Sequence, residues 1–370
     1  MKPDILKERE SISLRKKCVF FFLVILCSME VMAEGPVVSF QRMQGFPSEE
    51  PGIEKGVSAC FAGRIGHTLL MAGGCNFPGI PAAEGGAKRY YQGIYVASIV
   101  PGDVLQWKKV GDLPVRAAYG ASVSTKDGVI CIGGNHEQGS LRSVFKIRLK
   151  QGRAVIEHLP SLPVALDNLT AALQGHQLMV RGGRYLYVLD LRHLSQGWEK
   201  WMAFGSTLMQ PVSGFCEGRY HVWGGFVPKS NGSKVALSID GFSYGKSILP
   251  VQAPVDEQGE EVFLGGGASV NLDRDRVLVV GGVNKDIFLQ ALNDPQPGYM
   301  THPAAWYHFN PYLFVYDRGK WKRIGKSPVT ARAGAALVAY HQDVFIIGGE
   351  LKPGVRTPEI YRLTIQKNNY

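Results

Sequence analysis

Residues 68–74 read TLLMAGG, a short apolar run driven straight into a glycine pair. The same word recurs as VICIGG ending at Gly134, LMVRGG at Gly183, YHVWGG at Gly225, VLVVGG at Gly282 and VFIIGG at Gly349. The first glycines stand at 73, 133, 182, 224, 281 and 348, which gives intervals of 60, 49, 42, 57 and 67 residues. Self-similarity at such a spacing marks a ring or array of small units that bury their faces against one another. The longer intervals then contain loop insertions.

Each unit keeps one internal order. An alternating strand such as AAYGASVS (117–124) or RAGAALVAY (332–340) precedes the strand ending in the glycine pair. A third strand follows, as in GIYVASI (93–99), YLYVLDL (185–191) or YLFVYD (312–317). A fourth ends in proline, as in LQWKKVGDLP (105–114), VIEHLPSLP (155–163) and GKWKRIGKSP (319–328). Four short antiparallel strands per unit form a propeller blade, and the glycines let the backbone pack tightly at a turn. With a period near 50 residues the expected fold is all-β, a six-bladed kelch-type β-propeller. No helix of convincing length and period stands out.

The chain ends specify how the ring closes. The last unit stops after its third strand, EIYRLTI (359–365), while VSFQRMQGFP (38–47) is a fourth strand with no unit before it. Pairing the two completes the sixth blade and removes an exposed sheet edge. Because the strands alternate in direction, loops after the glycine pairs and loops after the fourth strands emerge at the same mouth of the channel. Functional residues are expected there, on loops carried by a rigid scaffold.

Composition agrees: 45 Gly, 21 Pro, 45% hydrophobic and 19% charged residues suit many short buried strands. Residues 1–33 read as a secretory leader, with Arg15, Lys16 and Lys17 ahead of an apolar run from Val19 to Leu26 and small or tolerated residues at the cleavage positions, Val31-Met32-Ala33. Cleavage is expected after Ala33, leaving 34–370 as one propeller outside the cytoplasm, in the periplasm or secreted. Lipidation at Cys27 is disfavoured by the bulk of Leu26. No segment has the 18 uninterrupted apolar residues of a membrane span. The leader carries six basic and four acidic residues, so the net charge falls from +10 to +8 on its removal. This modest positive excess serves solubility or attracts an anionic ligand, and the even scatter of Lys and Arg argues against a nucleic-acid stripe. Four cysteines remain; Cys60 and Cys75 are the pair near enough in sequence for a disulfide, and the others read as small apolar filler.

At the mouth, the segments after the glycine pairs begin Cys75-Asn76-Phe77, Asn135-His136-Glu137, Arg184-Tyr185, Phe226-Val227, Val283-Asn284-Lys285 and Glu350-Leu351-Lys352. PVRAAYG and VTARAGA add Arg116 and Arg332 at matching places. Cations and amides with few carboxylates point to an acidic, hydroxyl-rich small molecule. HExxH, paired CxxC, P-loop and strand-linked GxGxxG patterns are all missing, so zinc-protease, thiol-redox and nucleotide chemistry lose support. No metal or other cofactor is expected.

The loop GGELKPGVRTPEIY (348–361) resembles a segment of the bacterial sialic acid mutarotases, or N-acetylneuraminate epimerases, through Glu350, Lys352, Pro353, Gly354, Arg356 and Thr357. MAGGCNFPGI, RAAYGASVS and GGVNKDIF look like further counterparts. Relative to that family the blade order looks rotated, as in a cyclically permuted branch. The resemblance implies Glu350 as general base with Arg356 as its partner at the substrate; their places in the mouth loops make Asn76, Arg116, Asn284, Arg332 and Lys352 the expected substrate contacts. Mutarotation removes the anomeric proton and protonates the ring oxygen, which needs no cofactor, and a guanidinium suits the sugar's carboxylate. The competing expectation is a propeller that binds glycans or proteins without turnover, since one fold hosts both uses.

Overall fold

The computed structural model describes residues 38–230 and 232–366. The expected leader, its cleavage after Ala33 and any lipid on Cys27 lie outside the described residues. Six antiparallel sheets make a six-bladed β-propeller. In the first blade the order from the axis outward is Phe61–Ile65, Thr68–Ala72, Gly93–Ser98 and Lys108–Asp112. The innermost strands of the other five are Ala121–Ser124, Thr170–Gln174, Val212–Cys216, Ala268–Asn271 and Ala336–Tyr340.

The third blade reaches the same plan by a different local route. Gln177–Asp190 is continuous extended chain. A straight strand of that length would span about 43 Å at about 3.3 Å per residue. Leu191 N instead donates to His176 O at 2.9 Å, so the segment doubles back at Gly182-Gly183, with Gly183 at φ 53°. The absence of a loop at this turn explains the shortest repeat interval.

Closure follows the sequence expectation. Val38–Met43 pairs antiparallel with Ile360–Ile365, from Val38 opposite Ile365 to Met43 opposite Ile360. Met43, Leu69, Met71, Phe345, Ile347 and Ile360 then share one buried cluster between the last blade and the first. Burying one such side chain stabilises by about 1.5–3 kcal/mol, so this cluster holds the two chain ends together.

A second closure runs around the axis. Ala59, Tyr119, Asn168, Gln210, Gly266 and Gly334 each stand two residues before an innermost strand, all with left-handed φ of 49–73°. Their backbones form an unbroken circle of hydrogen bonds. Ala59 N donates to Gly334 O (2.7 Å), Gly334 N to Gly266 O (2.9 Å), Gly266 N to Gln210 O (3.0 Å), Gln210 N to Asn168 O (2.8 Å), Asn168 N to Tyr119 O (2.8 Å) and Tyr119 N to Ala59 O (3.0 Å). A left-handed conformation costs a residue with a Cβ about 1–2 kcal/mol, and four of the six have one. The belt also satisfies the backbone N–H and C=O groups of these six residues.

In four of the six blades the glycine pair is bonded to the segment that leads into this belt. Gly74 N donates to Ala117 O, Gly282 N to Arg332 O and Gly349 N to Val57 O, each acceptor two residues before a belt residue. A Cβ on Gly73 would stand 2.4 Å from Ala117 O, and one on Gly348 2.4 Å from Val57 O, so no side chain fits there.

One helix departs from the sequence expectation. The insertion behind the 67-residue interval contains the α-helix Lys285–Asn293, followed by 3-10 turns at Tyr299–Thr301 and Ala304–Tyr307. Asn284 caps the helix, its Oδ1 accepting from Asp286 N and Ile287 N at 3.1 Å. The signal was present in Asn-Lys-Asp-Ile: a capping amide, then an acid in the first turn. At nine residues it is too short for its period to stand out in an all-β chain. Among the described residues no helix is long and apolar enough to cross a membrane. Cys60, Cys75, Cys131 and Cys216 are all buried free thiols, so the Cys60–Cys75 disulfide is not formed.

Candidate active site

A cavity of about 400 Å³ lies on the propeller axis. Every blade contributes its innermost strand, and the wall there is built from small side chains such as Ala62, Ala121, Ala171, Ala268 and Ala336. Larger residues at these positions would fill the channel. Ile287, Phe288, Ala291 and Leu292 of the helix cover it from one side, at the spacing of a single helix face. Tyr299, Tyr307 and Phe309 extend that cover. Among the described residues on the cavity wall, Glu350 is the sole carboxylate.

The repeat itself puts Glu350 there. The residue after a glycine pair bridges to the residue just before the belt, as Cys75 with Ser58, Asn135 with Ala118, Phe226 with Met209 and Glu350 with Ala333. Glu350–Lys352 then turns back through Val355–Arg356, with Glu350 opposite Arg356. Arg356 Nη1 lies 2.8 Å from Glu350 Oε1, at an angle that makes the contact an ion pair rather than a linear hydrogen bond. Gly354 N donates to the same oxygen at 2.6 Å.

The guanidinium is fixed on every side. Arg356 Nε donates to Ser58 Oγ at 3.0 Å, Nη2 reaches Tyr119 Oη at 3.5 Å, and the group lies 4.9 Å from the centre of the Phe77 ring. Burial on its own lowers the Arg356 pKa, but the Glu350 carboxylate holds it above its ordinary value, so the charge is permanent. Its side chain is only 3% exposed, against 22% for Glu350. The carboxylate therefore faces the cavity and the cation stands behind it.

The N-acetylneuraminate epimerase family model matches residues 28–156 and 159–370. The chain belongs to this family. The N-acetylneuraminate epimerase of Salmonella enteritidis PT4 is 32% identical over 222 residues, 55% of this chain and 57% of the relative. That of Haemophilus influenzae PittEE is 31% identical over 227 residues, 55% of this chain and 58% of the relative. The chain thus spans little more than half the length of the curated relatives it matches. The solved structure of YjhT superposes with a TM-score of 0.61 at 13% identity, covering 88% of this chain and 98% of the other, a likeness of fold.

In this epimerase-family chain the remaining expected contacts divide. Asn284 lines the cavity, although its Oδ1 is committed to the helix cap. Lys352 Nζ donates to Met300 O and His302 O at 3.3 and 2.6 Å, tying the Glu350 loop to the cover. Asn76 is off the cavity wall and 2% exposed; its Nδ2 donates to Gly52 O and Gly56 O, and its Oδ1 accepts from Tyr91 Oη, each at 2.8 Å. Arg332 is off the cavity wall too. It is 2% exposed, with Nε donating to Val329 O at 2.7 Å and Nη1 to Gly348 O at 2.8 Å. Arg116 is off the cavity wall, exposed and 4.0 Å from Glu137.

Sequence reasoning missed the belt side chains. Tyr119, Asn168 and Gln210 all line the cavity. Gln210 Nε2 donates to Asn168 Oδ1 at 3.1 Å, and Asn168 Nδ2 to Asp167 Oδ1 at 3.0 Å, forming an amide shelf. Lys88 Nζ donates to Tyr119 Oη at 3.2 Å and lies 4.8 Å from its ring centre. Their common place, two residues before each innermost strand, was legible once the repeats are aligned on those strands rather than on the glycine pairs.

Proposed function

We propose that the protein interconverts the α and β anomers of N-acetylneuraminic acid, with Glu350 as the general base. The carrying observation is that one carboxylate, Glu350, stands on the wall of a cavity otherwise lined by neutral groups. A base at that place takes the anomeric hydroxyl proton, the bond from the anomeric carbon to the ring oxygen opens to a ketone, and reclosure on the other face gives the second anomer. Arg356 orients the base, since its buried side chain leaves it behind the carboxylate. Lys88 is not on the cavity wall, but it forms no ion pair among the described residues and its Nζ reaches Tyr119 Oη, which is on the wall, so it is our assignment for meeting the sugar's carboxylate. The Asn168–Gln210 shelf offers amide groups to hydroxyls.

The rotated blade order and the kelch character of the repeats belong to the same proposal, as does export directed by residues 1–33. A mature mass beginning at Glu34, without lipid, checks the last of these. The enzymatic reading is tested by dissolving the crystalline sugar, which starts as one anomer, and following both anomers by NMR. Catalytic amounts of protein should shorten the approach to equilibrium. Saturable binding with an unchanged rate would favour a binding module instead.

A further inference from the structure

We propose that Tyr119 is the acid of this reaction, donating its phenolic proton to the ring oxygen as the ring opens and recovering it as the ring closes. This rests on the mutarotase reading above. The anomeric hydroxyl and the ring oxygen are borne by one carbon, so a base for the first and an acid for the second must stand side by side. One guanidinium arranges this: Arg356 Nη1 meets Glu350 Oε1 at 2.8 Å, and its Nη2 meets Tyr119 Oη at 3.5 Å. Both Tyr119 and Glu350 line the cavity.

The hydrogen-bond accounting at the phenol favours donation. A tyrosine oxygen has two lone pairs and one proton. Arg356 and Lys88 direct N–H groups at the oxygen, which occupies the lone pairs with cationic donors. The neighbouring protein group left for the proton is the Cys75 thiol, a weak acceptor. The proton thus has no strong acceptor among these neighbours until a ring oxygen arrives. Burial, foremost, keeps the phenol protonated far into the alkaline range. The backbone contributes too: Tyr119 keeps a left-handed φ of 60° at a belt position where two of the six blades use glycine, which fixes the ring at the mouth.

In the opening step Glu350 gains the anomeric proton, the electron pair of the ring C–O bond moves to the ring oxygen, and that oxygen takes the proton of Tyr119. In closure on the other face, the new hydroxyl returns its proton to Tyr119 as it attacks the ketone, and Glu350 gives its proton back to the former carbonyl oxygen. Atoms and charge balance with no added reagent.

The test starts from wild-type protein, which must accelerate anomer exchange of N-acetylneuraminic acid; if it does not, the mutarotase reading fails before Tyr119 is in question. With that established, Tyr119→Phe should lower turnover at saturating sugar about 100-fold, with KM changed little. Near wild-type turnover in folded Tyr119→Phe would overturn the proposal. Should that variant fold poorly, 3,5-difluorotyrosine at position 119 keeps the ring and its contacts but makes a stronger acid. It should bring an alkaline limb of the rate profile into the measurable range, with Lys88, Arg356, Cys75 and Glu350 left in place. An unmoved profile would mean that Tyr119 only packs, and would equally overturn it.

Discussion

Arg116 and Arg332 show how much one residue of register decides. The motifs PVRAAYG and VTARAGA are matched on their arginines, yet counted from the belt Arg116 precedes Tyr119 by three residues and Arg332 precedes Gly334 by two. The matching partner of Arg332 is Ala117: both carbonyls accept from the second glycine of the preceding pair. A one-residue offset in extended chain turns a side chain to the opposite face, so one arginine is buried and the other exposed. Replacing Arg332 with Met strands the carbonyls of Val329 and Gly348 and should cost about 2–4 kcal/mol in urea unfolding. Arg116→Ala, which breaks only an exposed pair, should stay within about 0.5 kcal/mol. Equal effects would contradict the placement. Glu350 was legible in the sequence because it follows its glycine pair directly; the orientation of Arg356 was not, because whether a cation faces the ligand or its own carboxylate depends on packing against Phe77 and Ser58.

Among elements, the strands were the most legible and the cover the least. Alternation and glycine pairs mark a strand within a few residues, whereas the helix Lys285–Asn293 has no fully buried residue and owes its place to the cavity beneath it. Tertiary contact, rather than propensity, sustains so short a helix. Its cap is therefore a local control. Asn284→Ala should cost the helix about 1 kcal/mol, read as faster hydrogen exchange at the Phe288 to Leu292 amides while the global melt hardly moves. Exchange that stays slow at those amides would mean that packing on the cavity alone holds the helix.

For the whole molecule, the ring is closed twice, at the rim by Val38–Met43 on Ile360–Ile365 and at the axis by the belt. The outer closure was readable from an orphan strand at one end and a missing strand at the other. The belt was not, because it is made of backbone groups whose only trace in the sequence is a residue type tolerant of left-handed φ, and Tyr119 and Gln210 are not of that type. Deleting residues 38–43 bares one edge of the last blade and the Met43 contacts, and should cost several kcal/mol, a large share of the about 5–15 kcal/mol that holds a domain folded. A truncated protein that melts with the full one would show that the belt suffices without the rim.

The central claim is that Glu350 is the base. Glu350→Gln keeps size and the contact with Gly354 but accepts no proton. Anomer exchange of N-acetylneuraminic acid followed by NMR, beside a thermal melt of the same sample, should show turnover about 10²- to 10⁴-fold lower with binding and melting largely retained. Turnover near that of the wild type in a folded Glu350→Gln protein would contradict the account.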